Sequence, residues 1–563
     1  MKHMKLRTGL LLLLLTLLWA AAASAAPGLP RFVWNVEGKE VEIVPYQKKD
    51  QSLYLFLPGA LKGRDPVLRL EEGIEFLWGE TAYADGSVFP AEQLLGQKEM
   101  TWYSTGKRLG TMEIMQGSEI PALFFTLETD DYNRILKGTR FDIKKYGKLV
   151  MLSGEGKINA AEKITSMKTH GNSTFFASKK AFQFKMENKV ALDGMEKNKK
   201  WMLLANWFDI SLIRNQITFD LFREIGLTYT PDSRQVELYV NGAYNGTYLL
   251  TEKIQLKKGR LEITDLEETL EALNGKEAYD AAKFKKGNGK VVNLMKWFDI
   301  AREPEDVSGG YLLEIEKALH FSQMTDEAGF VTDKGMCVVI KEPTHVGYRG
   351  AQYIAALVND FHHAVLQKNG YSKSTGRYYT SFMDTRSFAL KIIMEEFTAN
   401  FDVRAGSHFM YKDRDSIDGL LYAGPAWDYD LSYGNKDDGL RNPKKVDYVF
   451  KRSTSEVFLY HWLLTHQDFR VITRQLYEEV FLPAAEVLAG RREPAKGSPL
   501  KPVEAYQEAI RESARMNFTR WSARAIPDVW DQSGRTFESA GEFVKNWIEV
   551  RLETMSGNWL LDP

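Results

Sequence analysis

The sequence predicts an α+β protein, because three regions of different character follow one another along the chain. From about residue 30 to 148, short apolar runs alternate with turn clusters. The centre combines helical periods with hairpin signals, and helical periods dominate beyond Lys451. With 563 residues, 44% of them apolar and 26% charged, the chain has room for several globular domains. We expect segments at 1–26, 27–150, 151–450 and 451–563.

The first segment, residues 1–26, has the order of a secretory signal peptide. Lys2, Lys5 and Arg7 precede an apolar run, and small residues follow it. An uncleaved membrane anchor is the alternative, but the run is short and does not end in charges. We therefore expect a secreted or extracellular protein. Association with the cell surface is one form that this location could take. No membrane attachment is expected after cleavage.

Charge and cysteine content exclude some functions. The 74 basic and 75 acidic residues are balanced, and loss of the signal peptide would leave 71 against 75. Since binding to a phosphate backbone normally needs a basic excess, no nucleic-acid partner is expected. Cys337 is the single cysteine, so neither an intramolecular disulfide nor a thiolate metal cluster can form. It lies in an apolar, strand-like run and is predicted to be buried.

The second segment, residues 27–150, is predicted to form a small β-sandwich-like module. It contains short strand-like runs and no recognisable cluster of catalytic residue types. We interpret it as a surface or positioning module. A cell-wall polymer or another polysaccharide is the candidate ligand.

The start of the third segment, residues 151–450, contains a helix and a hairpin signal. Asp209 is predicted to cap a helix with a buried apolar stripe that ends at Gly226. Asn241-Gly242 between two apolar runs predicts a tight β-hairpin. Residues 267–308 are polar and of mixed charge, which is typical of an insertion.

A candidate phosphate site precedes that helix. A small polar loop follows a strand-like run, and its residues are Gly171, Asn172, Ser173 and Thr174. Such a loop exposes backbone amides to an anion, and Lys185 on the next strand would add a point charge. Lys179 and Lys180 are either further phosphate ligands or surface charges. A plain hairpin turn with a solvated lysine remains the alternative.

Candidate metal ligands lie further along the chain. A helix capped by Asp384 is predicted to end just before a loop that contains Asp402, and a hairpin follows. If the chain after the hairpin stays extended, Asp428 and Asp430 project from one face. Carboxylates in this arrangement suit a hard divalent cation. The order also matches the catalytic half of a protein kinase, with Ser407 at the spacing of its metal-binding Asn.

Two other interpretations of this acidic pair stay open. The segment from Trp427 to Asp430 could be a structural turn whose carboxylates cap backbone amides. Paired carboxylates, 12% aromatic residues and secretion would also suit glycoside hydrolysis. Against this, neighbours on one strand face lie on the same side of a substrate, whereas a glycosidase needs carboxylates that flank the bond.

Seven sequence blocks, in order, resemble the CotH family of secreted, spore-coat-protein-H-like kinases. They are His170–Thr174, Lys179–Lys185, Leu192–Met195, Lys199–Asn206, Leu212–Asn215, Val236–Gly242 and Gly424–Asp430. The resemblance extends from about residue 164 to 435 and more loosely through the helical tail. It implies an atypical, two-lobed protein-kinase-like domain that uses ATP and Mg²⁺ or Mn²⁺ to phosphorylate Ser or Thr of exported proteins.

The resemblance also assigns roles to residues. By position, Asp402 is similar to the loop aspartate needed for activity, and Asp428 to the metal-binding aspartate, with Asp430 beside it. Lys185 is the phosphate-pairing lysine that it implies. Where the family pattern usually has Arg before the first glycine, this chain has His170. A catalytically inactive kinase-like surface scaffold is therefore the alternative.

Overall fold

The computed structural model divides the chain into two compact units. It describes residues 29–50, 52–78, 80–95, 99–104, 107–137, 147–171, 174–288, 293–404, 406–436, 442–445, 459–522 and 535–559. Among these described residues, those within Met1–Trp207, Ser233–Glu252 and Glu508–Ala523 form the first unit, and those within Phe208–Asp232, Lys253–Gln507 and Arg524–Pro563 form the second. The predicted signal peptide lies outside the described residues. In the part that is described, no helix has both the length and the apolar character needed to cross a membrane.

The first unit begins with two sheets that share one hydrophobic core. Their strands are β1 (Arg31–Val36), β2 (Lys39–Ile43), β3 (Tyr46–Gln47), β4 (Leu53–Leu57), β5 (Val67–Arg69), β6 (Ile74–Trp78), β7 (Thr81–Tyr83), β8 (Glu99–Ser104) and β9 (Lys107–Gln116). The sheet orders are β2-β1-β5 and β3-β4-β9-β8-β6-β7. Buried residues of both sheets, including Phe32, Leu55 and Phe76, form the core between them. A short helix, Ala91–Leu94, precedes β8.

Seven further strands of the first unit close into a barrel. They are β10 (Ala122–Thr126), β11 (Gly147–Leu152), β12 (Ile158–His170), β13 (Ala181–Val190), β14 (Asn198–Leu204), β15 (Ser233–Val240) and β16 (Ala243–Glu252). The order is β10-β11-β12-β13-β14-β16-β15, and parallel pairing of β10 with β15 closes it. The domain boundary expected near residue 150 falls inside β11. That strand pairs with β10 and β12, so hydrogen bonding is continuous across the expected boundary.

Two helices complete the first unit, and its hairpin turn is the one that the sequence predicted. The helices are Thr129–Leu136 and Arg511–Arg520. Asn241 (φ 50°) and Gly242 (φ 78°) join β15 to β16. Both positions require a left-handed backbone, which Asn and Gly adopt most readily.

A buried carboxylate links β15 to the helix Arg511–Arg520. Glu237 is fully buried, and its Oε1 accepts a 2.6 Å hydrogen bond from the Ser513 hydroxyl. Its Oε2 has no hydrogen-bond partner among the described residues. Burial raises the pKa of Glu237 to about 8, although the Ser513 hydrogen bond opposes this shift.

We expect Glu237 to make the stability of the protein decrease as pH rises. Between its ordinary pKa of 4.5 and about 8, the folded state keeps a proton that the unfolded chain has released. The free energy of unfolding should therefore fall by up to about 1.4 kcal/mol per pH unit in this window. Glu237→Gln removes that contribution. Urea unfolding of parent and variant from about pH 5 to 8 tests this, and parallel stability curves would contradict it.

The second unit is built on a seven-stranded sheet. Its strands are β17 (Lys283–Lys286), β18 (Met295–Asp299), β19 (Tyr311–Glu316), β20 (Gly329–Val331), β21 (Cys337–Glu342), β22 (His408–Lys412) and β23 (Leu421–Ala423), in the order β17-β18-β20-β21-β19-β22-β23. The predicted insertion, residues 267–308, supplies β17 and β18 and so extends this sheet. Cys337 is buried, as predicted, and burial raises its pKa to about 11.

Helices make up the rest of the second unit, and they confirm the predicted α+β class with a helical carboxy-terminal region. They are Arg214–Glu224, Leu266–Asn274, Lys276–Asp280, Ala318–Gln323, Tyr348–Leu366, Thr385–Thr398, Asp415–Asp418, Leu459–Leu463, Gln467–Leu476, Leu482–Leu488, Val503–Glu508 and Phe537–Asn558. Residues Tyr477–Phe481 form a π-helical turn between two of them. The exception in the tail is the helix Arg511–Arg520, which belongs to the first unit.

One predicted helix start is wrong. The helix begins at Arg214, because Asp209 holds the preceding turn instead of capping a helix directly. Its carboxylate accepts hydrogen bonds from the backbone of Ser211 at 3.0 Å and of Arg214 at 2.8 Å. In contrast, Asp384 caps its helix as predicted and accepts from the backbone of Ser387 at 2.7 Å.

Candidate active site

The helix Thr385–Thr398 places Asp402 at its carboxyl end. Nearly the whole helix is buried, so its end is fixed within the second unit. Ala399 adopts a left-handed conformation (φ 46°), and a 3₁₀ turn, Phe401–Arg404, follows. The amide oxygen of Asn400 accepts a 3.2 Å hydrogen bond from the backbone of Asp402. Asn400 therefore stabilises this turn, and the Asp402 carboxylate is left for other contacts.

The second group of acids does not lie on a strand. The prediction that Asp428 and Asp430 alternate along an extended segment is wrong, because β23 ends at Ala423 and Asp428 has a left-handed backbone (φ 67°). The backbone of Tyr429 donates a 2.7 Å hydrogen bond to the Asn215 side chain, which anchors the segment on the helix Arg214–Glu224. Within the described residues, no backbone amide donates to either carboxylate. The alternative of a capping turn therefore has no support here.

The structure nevertheless brings the three acids close enough to interact electrostatically. Burial raises the pKa of Asp402 to about 7, and the neighbouring Asp428 charge adds to this. Burial also raises the pKa of Asp428, and burial together with the charges of Asp428 and Asp402 raises that of Asp430. The Ser407 hydroxyl donates a 3.0 Å hydrogen bond to Asp428 Oδ2. These four predicted residues therefore form one acidic cluster.

The basic residue that interacts with Asp430 is already paired. Arg214 Nη1 lies 2.6 Å from Asp209 Oδ1, and both side chains are fully buried. Arg214 Nε also donates a 3.1 Å hydrogen bond to the Ser432 carbonyl. The Arg214 charge lowers the pKa of Asp430 somewhat, but burial and the other acids outweigh it. Arg214 therefore shares its charge with Asp209 and does not by itself neutralise the acidic cluster.

A second buried network, which the sequence analysis missed, supports the same segment. The Tyr429 hydroxyl donates a 2.6 Å hydrogen bond to Glu395 Oε1, and Lys391 Nζ donates to that hydroxyl at 2.5 Å. Lys391 also pairs with Glu395 inside the helix. The sequence does contain a sign of this network, because Lys391 and Glu395 are opposite charges four residues apart in an otherwise largely apolar helix.

The candidate phosphate residues lie in the first unit. Gly171 has a φ of 103°, and a Cβ there would lie 1.9 Å from Thr174 Oγ1, so only glycine fits. Asn172 and Ser173 lie outside the described residues. Lys185 is half-buried on β13, opposite Ser166 and Lys200 on the neighbouring strands. It faces away from the buried side of β13.

The nearby Lys179 is neither a surface charge nor a phosphate ligand. Its side chain is buried, and its Nζ donates to the carbonyls of Ala205, at 2.9 Å, and Thr247. Burial lowers its pKa well below the usual value. Lys180 is less buried and donates a 2.6 Å hydrogen bond to the Phe175 carbonyl. Both lysines therefore stabilise the fold of the first unit.

Comparison with known proteins gives a single informative result. A family model described as CotH kinase protein matches residues 167–555. This range covers most of the chain and includes every candidate site residue. No curated protein shows significant similarity to the chain.

Proposed function

The chain belongs to the CotH kinase protein family, and from this premise we propose that it is a secreted, metal-dependent protein kinase that transfers the γ-phosphate of ATP to Ser or Thr of exported proteins. One observation carries the proposal. Asp402, Asp428 and Asp430 come from two separate chain segments and interact within one buried cluster. Kinase chemistry requires such acids, one for the acceptor hydroxyl and others for a metal ion.

The acidic cluster fits a hard divalent cation. Its donors are carboxylate and hydroxyl oxygens, which Mg²⁺ and Mn²⁺ prefer. The Asp428 charge raises the pKa of both Asp402 and Asp430, so a cation would relieve this repulsion. Within the described ranges, no three acidic, histidine or cysteine side chains are already arranged as metal ligands. Asp428, Asp430 and Ser407 would hold the ion, and a bound ion would neutralise phosphate charge.

Asp402 suits a different role. Its side chain is 18% exposed, so a substrate hydroxyl can reach it. In the proposed step, Asp402 accepts the hydrogen bond of the acceptor hydroxyl and orients its oxygen towards the γ-phosphorus. The new O–P bond forms as the bond to the ADP oxygen breaks, and the hydroxyl proton passes to Asp402.

The two-lobed kinase-like fold and the nucleotide residues are part of this proposal. We assign Gly171, Asn172, Ser173, Thr174 and Lys185 to the nucleotide phosphates. Their support is local, namely the glycine that cannot carry a Cβ and the outward orientation of Lys185. Secretion or cell-surface location, and a polysaccharide ligand for the amino-terminal sheets, are proposed from the sequence.

Phosphate transfer from [γ-³²P]ATP to a generic protein acceptor tests the proposed function. We expect labelled phosphoserine or phosphothreonine with Mg²⁺ or Mn²⁺, and none in excess EDTA. An absence of transfer with several metals, including to the chain itself, would favour the inactive surface scaffold. The replacement of the usual family arginine by His170 makes that scaffold the second candidate.

A further inference from the structure

One lysine of the second unit lies beside the acidic cluster with its charge partly exposed. Lys317 follows β19 and precedes the helix Ala318–Gln323. Its Nζ lies 4.0 Å from Asp402 Oδ1, and its side chain is 44% exposed. Its positive charge lowers the pKa of both Asp402 and Asp428. The ammonium group thus acts electrostatically on both acids, and its separation from Asp402 is too long for a hydrogen bond.

A second lysine lies close by. Lys317 Nζ is 6.0 Å from the centre of the Phe401 ring, and Lys436 Nζ is 5.2 Å from it. Phe401 directly precedes Asp402, and the Lys436 charge also lowers the pKa of Asp402. Two ammonium groups therefore lie near the ring at the start of the acidic turn.

Among the side chains that the structure describes near the cluster, two further cations are buried and already paired. Arg214 is fully buried and paired with Asp209, and Lys391 is buried and paired with Glu395. An ATP polyphosphate carries several negative charges, and each ionised carboxylate of the cluster would repel it. One divalent ion offsets only part of this repulsion. A partly exposed ammonium group at the cluster, such as that of Lys317, would supply further positive charge.

We propose that Lys317 is a phosphate-contacting residue of this site. In the free protein its ammonium lies near Asp402, and with nucleotide bound it donates to a phosphate oxygen. The long lysine stem and the 4.0 Å separation allow this exchange without a change in the backbone. The inference rests on the proposed function, since it requires a nucleotide at the acidic cluster.

Nucleotide binding by Lys317→Met in the full chain tests this inference without measuring catalysis. Methionine keeps an apolar stem and removes the charge. Calorimetry with MgATP and with adenosine should show MgATP binding weakened by about tenfold or more, because a charge-assisted hydrogen bond is lost. Adenosine binding should change less than about twofold, since adenosine carries no phosphate. Lys317→Arg should retain most of the MgATP affinity, because it keeps the charge.

Lys368→Met is the matched control, because Lys368 is an exposed lysine of the second unit. It should bind MgATP like the parent. If Lys317→Met also binds MgATP like the parent, the role of Lys317 is wrong while the proposed function stands. If the parent itself does not bind MgATP, the proposed function fails, and the inference fails with it.

Discussion

Asp428→Asn is expected to abolish phosphate transfer and to remove the rise in melting temperature that Mg²⁺ plus ATP should give the parent. The substitution would delete one anionic ligand of the proposed metal site, and it keeps the size of the side chain. Because positioning and charge stabilisation supply most of the rate in phosphoryl transfer, loss of the metal site should leave almost no activity. Of the variants considered, this one should show the largest effect.

The fold should tolerate Asp428→Asn. Asp428 has a left-handed backbone (φ 67°), which asparagine adopts more readily than most residues. The amide oxygen can still accept the hydrogen bond from the Ser407 hydroxyl. The change also removes the Asp428 charge, which raises the pKa of both Asp402 and Asp430. Without metal, the variant should therefore melt at the same temperature as the parent or at a higher one.

Differential scanning fluorimetry with and without Mg²⁺ and ATP, together with a transfer assay, measures both effects. Asp326→Asn is the matched control, because Asp326 is exposed. It should behave like the parent in both experiments. If Asp428→Asn gains as much melting temperature from Mg²⁺ plus ATP as the parent does, the metal assignment is wrong.

Local signals in the sequence predicted local structure well. Asn241 and Gly242 correctly predict a hairpin, and Asp384 correctly predicts the start of a helix. A tight turn and a helix cap both depend on residues only a few positions away, so a local pattern can reveal them. The barrel was not predicted. It closes through parallel pairing of β10 with β15, whose residues are more than 100 positions apart. No local sequence pattern reveals such a pairing. The domain boundary predicted near residue 150 therefore falls inside β11.

At the candidate site, too, the sequence predicts residues that are near one another in the chain and misses contacts between distant ones. Asp402, Ser407 and Asp428 were identified because a helix end and a hairpin lie next to one another in sequence. The supporting residues were missed: Arg214 and Asn215 contact this segment from about 215 positions away. The strand argument for Asp428 and Asp430 was wrong, since hydrophobic alternation cannot reveal a left-handed residue. Lys317 gave no signal, because an isolated exposed lysine has no distinguishing pattern.

Asp402→Asn should lower kcat by roughly 10² to 10⁴ and leave the affinity for ATP within a few-fold of the parent. The proposed role of Asp402 is to orient the acceptor hydroxyl, and it does not ligate the metal. The asparagine side chain would keep the shape but would bind a hydroxyl proton much more weakly. Asp428→Asn, in contrast, should affect metal and nucleotide binding as well as turnover. The two variants therefore separate the two roles.

The competing interpretation of Asp402 makes the opposite prediction. If Asp402 only stabilised the end of its helix, Asp402→Asn would lower stability by up to about 1 kcal/mol and leave kcat nearly unchanged. The structure argues against this, because Asn400 accepts the backbone hydrogen bond in this turn. Since the substitution also removes a charge that Asp428 repels, the melting temperature should not fall. Measurement of kcat, ATP affinity and melting temperature, with Asp326→Asn as control, tests this. Unchanged turnover with a lower melting temperature would reject the catalytic role of Asp402 and favour the inactive scaffold.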